Sequence, residues 1–270
     1  MQKSTKDIKE LEVVLFKAGL AILRNSFLRN RIYLLNHLIS NAGSFVFGYI
    51  FVSIWRAILG NSPESSQMVT YVMVNQSGLW ITMFLPYGAF LFQKVRDGTI
   101  AFELLKPYGL IYLSFYEVLG HVVYNFFFRY LPIFFLGFFL LGVKLPSPGQ
   151  IVPYGISIAM AFIISFFLNY FIGLWSLRFL GISGAQSLYY FLMNFLSGYM
   201  LPAKYYPDFL KRIMPLTPFA ATSYIPGSLY LGKITFSEGI TLQLFWVAVL
   251  FLFALILTKL TQKKLQIQGG

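Results

Sequence analysis

Four polar side chains fall four residues apart in an otherwise aliphatic and aromatic run: Glu117, His121, Asn125 and Arg129. On a helix that spacing stacks them in one stripe. A carboxylate, an imidazole, an amide and a guanidinium in line could form an ion-coupling path through a membrane or a contact between two subunits. Ionisable groups in hydrocarbon normally turn toward protein or a water-filled cavity. Two plainer uses compete: pairing within the chain, and anchoring at the two interfaces, with Glu117 near one surface and Arg129 reaching headgroups at the other. The stripe lacks a third ligand for a metal and a nucleophile for catalysis. Asn75 and Gln76, followed by Ser77 and Gly78, make a second polar group, suited to close contact with a neighbouring helix and to amide bonds across it.

A different chemistry is suggested by residues 94–107, KVRDGTIAFELLKP, a short charged interruption between two long hydrophobic runs. If Asp97 or Thr99 caps a helix and Pro107 stops it, Ile100, Ala101, Leu104 and Leu105 share one face. Thr99, Phe102, Glu103 and Lys106 share the other. The segment is then either a solvated turn or a docking element, lying on the membrane surface and presenting Phe102 among Arg96, Asp97, Thr99, Glu103 and Lys106. Gly227 to Ile234, GSLYLGKI, approaches the phosphate-binding pattern GxxxxGK[ST]. Ile234 stands where a magnesium-binding hydroxyl is needed, and the surroundings are a proline-rich loop, so no nucleotide site or other cofactor site is expected in this chain.

The elements that position these groups must be membrane helices. The chain is 57% hydrophobic and 11% charged, with no cysteine, against roughly 25% charged in a soluble domain. Its net charge of +12 suits basic residues on the cytoplasmic side of a membrane better than nucleic acid, which is not expected as a partner. The first stretch is too charged to read as a removable signal peptide. Lys3, Glu10, Lys17, Arg24 and Arg31 recur every seven residues, with Ile8, Leu11, Leu15 and Ile22 opposite, so residues 1–31 read as an amphipathic helix at the interface or as an exposed lead-in. Residues 32–262 then form the membrane domain. Six spans are expected, near 32–55, 69–92, 110–141, 153–177, 184–201 and 237–258, each long enough for about 30 Å of hydrocarbon. With both termini inside, fourteen basic residues fall on the cytoplasmic side and six outside, as the positive-inside rule requires.

The stretch 199–238 is broken by prolines at 202, 207, 215, 218 and 226. It reads as short helices at the outer interface, forming either a lid over an exit or a passive cap. Its marked residues are Pro202, Asp208, Lys211, Arg212 and Pro218.

VRDGTIAFELLKP after the second expected span and FLSGYMLPAKYYPDFLKRIMPLTPFAATSYIPGSLYLG before the last resemble the permease subunits of ABC-2 type ATP-binding-cassette transporters, in a branch of small permeases. The likeness runs over roughly residues 10–262. It implies an all-α membrane protein with an N-terminal interfacial helix, a cytoplasmic coupling helix between spans 2 and 3 and broken re-entrant helices between spans 5 and 6. It also implies a prokaryotic inner-membrane location and partnership with two ABC ATPase subunits, which bind ATP and magnesium, and with a second permease chain, identical or paralogous. Export is the implied activity. The rival reading is a secondary transporter or channel that uses Glu117, His121 and Arg129; a membrane-embedded enzyme lacks a catalytic cluster.

Overall fold

The computed structural model of the chain describes residues 5–31, 34–179 and 181–262, with backbone alone for 5–11, 34 and 35. Lys3, Lys263 and Lys264 lie outside the described residues, as do the side chains of Ile8, Glu10 and Leu11. Helix α1 (Thr5–Asn30) exposes Lys17 and Arg24, and exposed Arg31 follows it; Leu15 and Ile22 are half-buried. Helix α2 (Leu34–Leu59) follows.

Helix α3 (Pro63–Thr82) starts cleanly, because Ser62 accepts a bond from the Ser65 amide at 3.2 Å and Pro63 occupies the first turn. It runs back along α2. Beyond Thr82 the chain passes Pro86 and enters a turn at Tyr87–Phe90 in which Gly88, Ala89 and Phe90 all have positive φ, at 56°, 52° and 66°. Two short helices follow, α4 (Leu91–Arg96) and α5 (Ile100–Leu104). A long rod covers Leu110–Leu141. It consists of α6 (Leu110–Asn125), a π-helical turn Phe126–Tyr130, α7 (Leu131–Leu136) and a second π-helical turn Gly137–Leu141. The first π-turn ends two residues before Pro132, which has no amide hydrogen to give and whose ring crowds the turn before it. Helix α8 (Pro148–Phe179) is the other long element, followed by α9 (Ser183–Leu196), α10 (Asp208–Ile213), α11 (Tyr224–Tyr230) and α12 (Phe236–Gln262).

Packing orders these along one axis. Helix α1 lies beside α6, with the Tyr112 hydroxyl bonded to the Leu15 carbonyl and Ser26 Oγ to the Glu117 carbonyl. Helix α2 continues along the upper part of the same rod, from Asn41 on the Phe128 carbonyl (2.8 Å) to Arg56 on the Leu141 carbonyl (2.7 Å). Helix α8 packs on α12, on α11 and on the Tyr87–Phe90 turn. Residues 60–62, 142–147 and 199–235 thus gather at one end, and α4, α5 and the start of α6 at the other.

The six-span expectation is corrected by this structure. Among the described residues, four helices are long and apolar enough to cross a membrane: Asn36–Leu59, Leu110–Leu141, Pro148–Phe179 and Phe236–Gln262. The expected span 69–92 breaks at Pro86 and the left-handed turn. Its helical part, α3, has fifteen of its twenty residues buried, whereas α12 has five of twenty-seven buried. Helix α3 is therefore walled by protein and can carry Asn75, Gln76 and Ser77 without meeting lipid. The expected span 184–201 is α9, fourteen residues long, or about 21 Å against about 30 Å of hydrocarbon. In consequence α5 lies between the first and second of the four spanning helices, and the short helices after α9 lie before the fourth.

Candidate functional site

Glu117 is held by two cations from two other elements. Both terminal nitrogens of Arg29, in α1, sit 3.3 Å from its Oε1, and Lys94 Nζ, in α4, is 2.8 Å from its Oε2. Lys94 also reaches Glu103 Oε1 at 3.7 Å, and Lys106 Nζ is 2.6 Å from Glu103 Oε2. The Glu103 carboxylate holds the Lys106 ammonium above its usual range. Five charges therefore tie α1, α4, α5 and α6 together. Lys94, Glu103 and Glu117 are mostly withdrawn from solvent, which strengthens their attraction relative to a surface pair.

This ionic brace fixes how α5 is presented. Ile100 is 4% exposed and seats the helix on the bundle, while Phe102 is 70% and Leu105 83% exposed. Two expectations are revised here. Leu105 points away from the bundle because, at about 100° per residue, it stands about 140° round the helix from buried Ile100, its backbone still right-handed helical, and Glu103 turns inward to Lys94 and Lys106. Neither Asp97 nor Thr99 caps the helix with its side chain; Thr99 Oγ1 is 3.5 Å from the Lys94 carbonyl. Arg96 and Asp97 are exposed and pair with each other at 3.6 Å.

The rest of the stripe also meets its own chain. His121 Nδ1 lies 2.9 Å from Asn30 Oδ1, and Asn125 Nδ2 donates to the Trp80 carbonyl at 3.0 Å. Arg129 donates to His37 Nδ1 at 2.5 Å and lies over the Trp80 ring, 3.8 Å from its centre. His37 in turn uses Nε2 on the Asn30 carbonyl, 2.7 Å away, which fixes its proton on Nε2. Gln76 donates to Ser44 Oγ at 3.0 Å, and Asn75 is buried against α11. Sequence spacing found the stripe but missed Arg29, Asn30, His37, Trp80 and Lys94 as its partners. They come from other helices, and no local pattern announces them.

At the opposite end, Pro202 is buried and Asp208, Lys211 and Arg212 are exposed on or beside α10; Pro218 is half-buried. Asp208 in the first turn of α10 and Lys211 and Arg212 in its last suit the helix dipole. The segment is fastened down. Lys204 and the Tyr205 hydroxyl (2.9 Å) both take Glu64 Oε1, Tyr71 donates to the Gly198 carbonyl at 2.7 Å, and Trp55 to the Met200 carbonyl at 3.3 Å. The GSLYLGKI run is the end of α11. Gly232 (φ 65°) and Lys233 return their amides to the Leu229 and Ser228 carbonyls at 3.0 and 2.8 Å. That is a helix C-terminal stop, the wrong polarity for cradling phosphate.

No curated protein matches the chain. The family described as ABC-2 family transporter protein matches residues 38–269, a range that contains α3 to α12 and nearly all of α2 but leaves α1 outside. With three of the four spanning helices and nearly all of the first, the braced α4–α5 element and the fastened segment after α9 inside that match, the chain belongs to the ABC-2 family of transporter proteins.

Proposed function

We propose that the chain is the permease subunit of an ATP-driven exporter and that α5, with the residues flanking it, docks on a separate ABC ATPase. ABC-2 permeases work with ABC ATPase subunits in a larger membrane complex and carry no catalytic nucleotide domain, so ATP and magnesium belong to the partner. One observation carries the docking assignment: two large apolar side chains, Phe102 and Leu105, stand in the open on a helix whose other side is anchored by Ile100 and by the Lys94, Glu103 and Lys106 pairs. A loose loop would fold such side chains away or let them move. A braced one pushes when it is pushed.

In this reading the partner offers an apolar pocket for Phe102 and Leu105, with Arg96, Asp97 and Thr99 at its rim. The brace passes movement of α5 through Lys94 and Glu117 to α6 and through Arg29 to α1. The working assembly has two permease chains, identical or paralogous, and two ATPases. It lies in a prokaryotic inner membrane with both termini and α5 on the cytoplasmic side, where the basic residues of α1 and α4 and Lys106 just beyond α5 favour them. The segment 199–216 acts as a lid at the far end. No observation favours ion coupling through the stripe, since both oxygens of Glu117 are already taken by cations.

The test is co-expression with an ABC ATPase encoded beside this chain and purification in mild detergent. Truncating a buried interface aromatic costs about 2 kcal/mol or more, roughly 30-fold in affinity. Phe102→Ala and Leu105→Ala are each expected to lose that much ATPase association, and Arg96→Ala less. Full association and export by the double variant, correctly inserted, would overturn the docking assignment.

A further inference from the structure

We propose that a cavity at the end opposite α5 is a binding site for an oxyanionic head group, a phosphate ester or carboxylate carried on a larger amphipathic molecule. It rests on the permease reading only for the idea that cargo leaves at this end. The cavity holds about 220 Å³ and is lined by Glu64, Gln67 and Tyr71 of α3, Lys204, Ser228 of α11 and Lys233 just beyond it, among others.

Size sets the kind of ligand. Water takes about 30 Å³ per molecule in the liquid, and pockets for whole drug-sized molecules begin near 300 Å³. The space therefore suits one head group, with the rest of the molecule outside. Charge sets its sign. Lys204 and Lys233 face one carboxylate, Glu64, which is already engaged by Lys204 and by the Tyr205 hydroxyl. Lys233 makes no ion pair among the described residues. Burial and the neighbouring Lys204 charge hold its ammonium below its usual range, a position that a bound anion relieves. Gln67 on α3 and Ser228 on α11 add hydrogen-bond donors to the lining, and the rings of Tyr71 and Tyr224 supply apolar surface.

The site is tested on the purified full chain in nonionic detergent, without ATPase, by titration calorimetry with dihexanoyl phosphatidate and, separately, with inorganic phosphate. Phosphatidate is expected to bind. Lys233→Gln should weaken it by about tenfold or more, and Lys233→Arg should retain it. Lys211→Gln, on exposed α10, should change nothing, and melting curves check that each variant is folded. Binding of phosphatidate alone supports the amphipathic ligand; equal binding of phosphate supports the oxyanion site but overturns the amphipathic body. No binding of either probe, unchanged affinity in Lys233→Gln, or an equal loss in Lys211→Gln overturns it. None of these outcomes bears on ATPase docking, which is read at the other end.

Discussion

Glu117 is where the chain's charge pattern is most concentrated, and removing its carboxylate should be felt in stability before it is felt in transport. Glu117→Gln leaves Lys94, itself little exposed, with one weaker contact to Glu103 at 3.7 Å. The expected loss is about 2 kcal/mol, in the range for hydrogen bonds to charged groups. It would appear as a lower melting temperature in detergent. Because Lys94 and Glu117 touch, the Lys94→Gln, Glu117→Gln double variant should lose less than the sum of the two single losses; strict additivity would mean that the brace is not a unit. The four-residue spacing made the stripe legible in the sequence. Its bonding partners were not legible, because Arg29, Asn30 and His37 meet it only when α1 and the start of α2 lie along α6, and that arrangement depends on the whole bundle.

At the scale of elements, the turn at Tyr87–Phe90 decides why a hydrophobic run that looks continuous is not one helix. Pro86 disfavours helical conformation at Leu85, and Gly88 sits so close to α8 that a Cβ there would stand 2.8 Å from the Gly173 Cα. Those two residues were the available signal, but the apolar residues around them hid it. Ala89 and Phe90 pay for the turn with left-handed backbone, which costs an ordinary residue about 1–2 kcal/mol. Phe90 is held there by Arg29, 4.6 Å above its ring, and by an edge contact with His121. Ala89→Gly should therefore leave the melting temperature close to unchanged, because relief of the left-handed strain offsets both glycine's own flexibility and the loss of a fully buried methyl. Gly88→Ala should lower it, since backbone on α8 cannot move aside. The opposite ordering of the two variants would show that the turn is not strained. Helix α5 shows the same limit of sequence reading: Ile100 faces in and Phe102 out, but Leu105, about 140° round the helix from Ile100, lies at the margin of the apolar face, and spacing alone does not say to which side a marginal residue turns.

For the whole molecule, composition revealed a multi-pass helical membrane protein, yet hydropathy could not distinguish a lipid-facing helix from one enclosed by protein. The chain has no cysteine, so single cysteines report cleanly. One at Leu252 or Phe253, exposed on α12, should react with a lipid-phase maleimide, and one at Val72 or Met73, buried on α3, should not; labelling on α3 would restore it to the lipid boundary. The two ends of the bundle then differ in how they are closed, since α5 is tied by a brace withdrawn from solvent and the segment after α9 by the more exposed Glu64 pair. If that segment is a lid, acid should loosen it. Hydrogen bonding from Lys204 and then from Tyr205 holds the Glu64 carboxyl below its ordinary value of 4.5. A lowered folded-state pKa means that the clasp contributes fully above 4.5 and is lost as pH falls through the lowered value. Hydrogen exchange at residues 199–206 should accordingly be slower in the wild-type chain than in Glu64→Gln at neutral pH, with the difference shrinking as pH falls below 4.5. Comparing the two chains at each pH removes the intrinsic pH dependence of exchange. A difference that persists unchanged at low pH, or none at neutral pH, would show that Glu64 does not hold the lid.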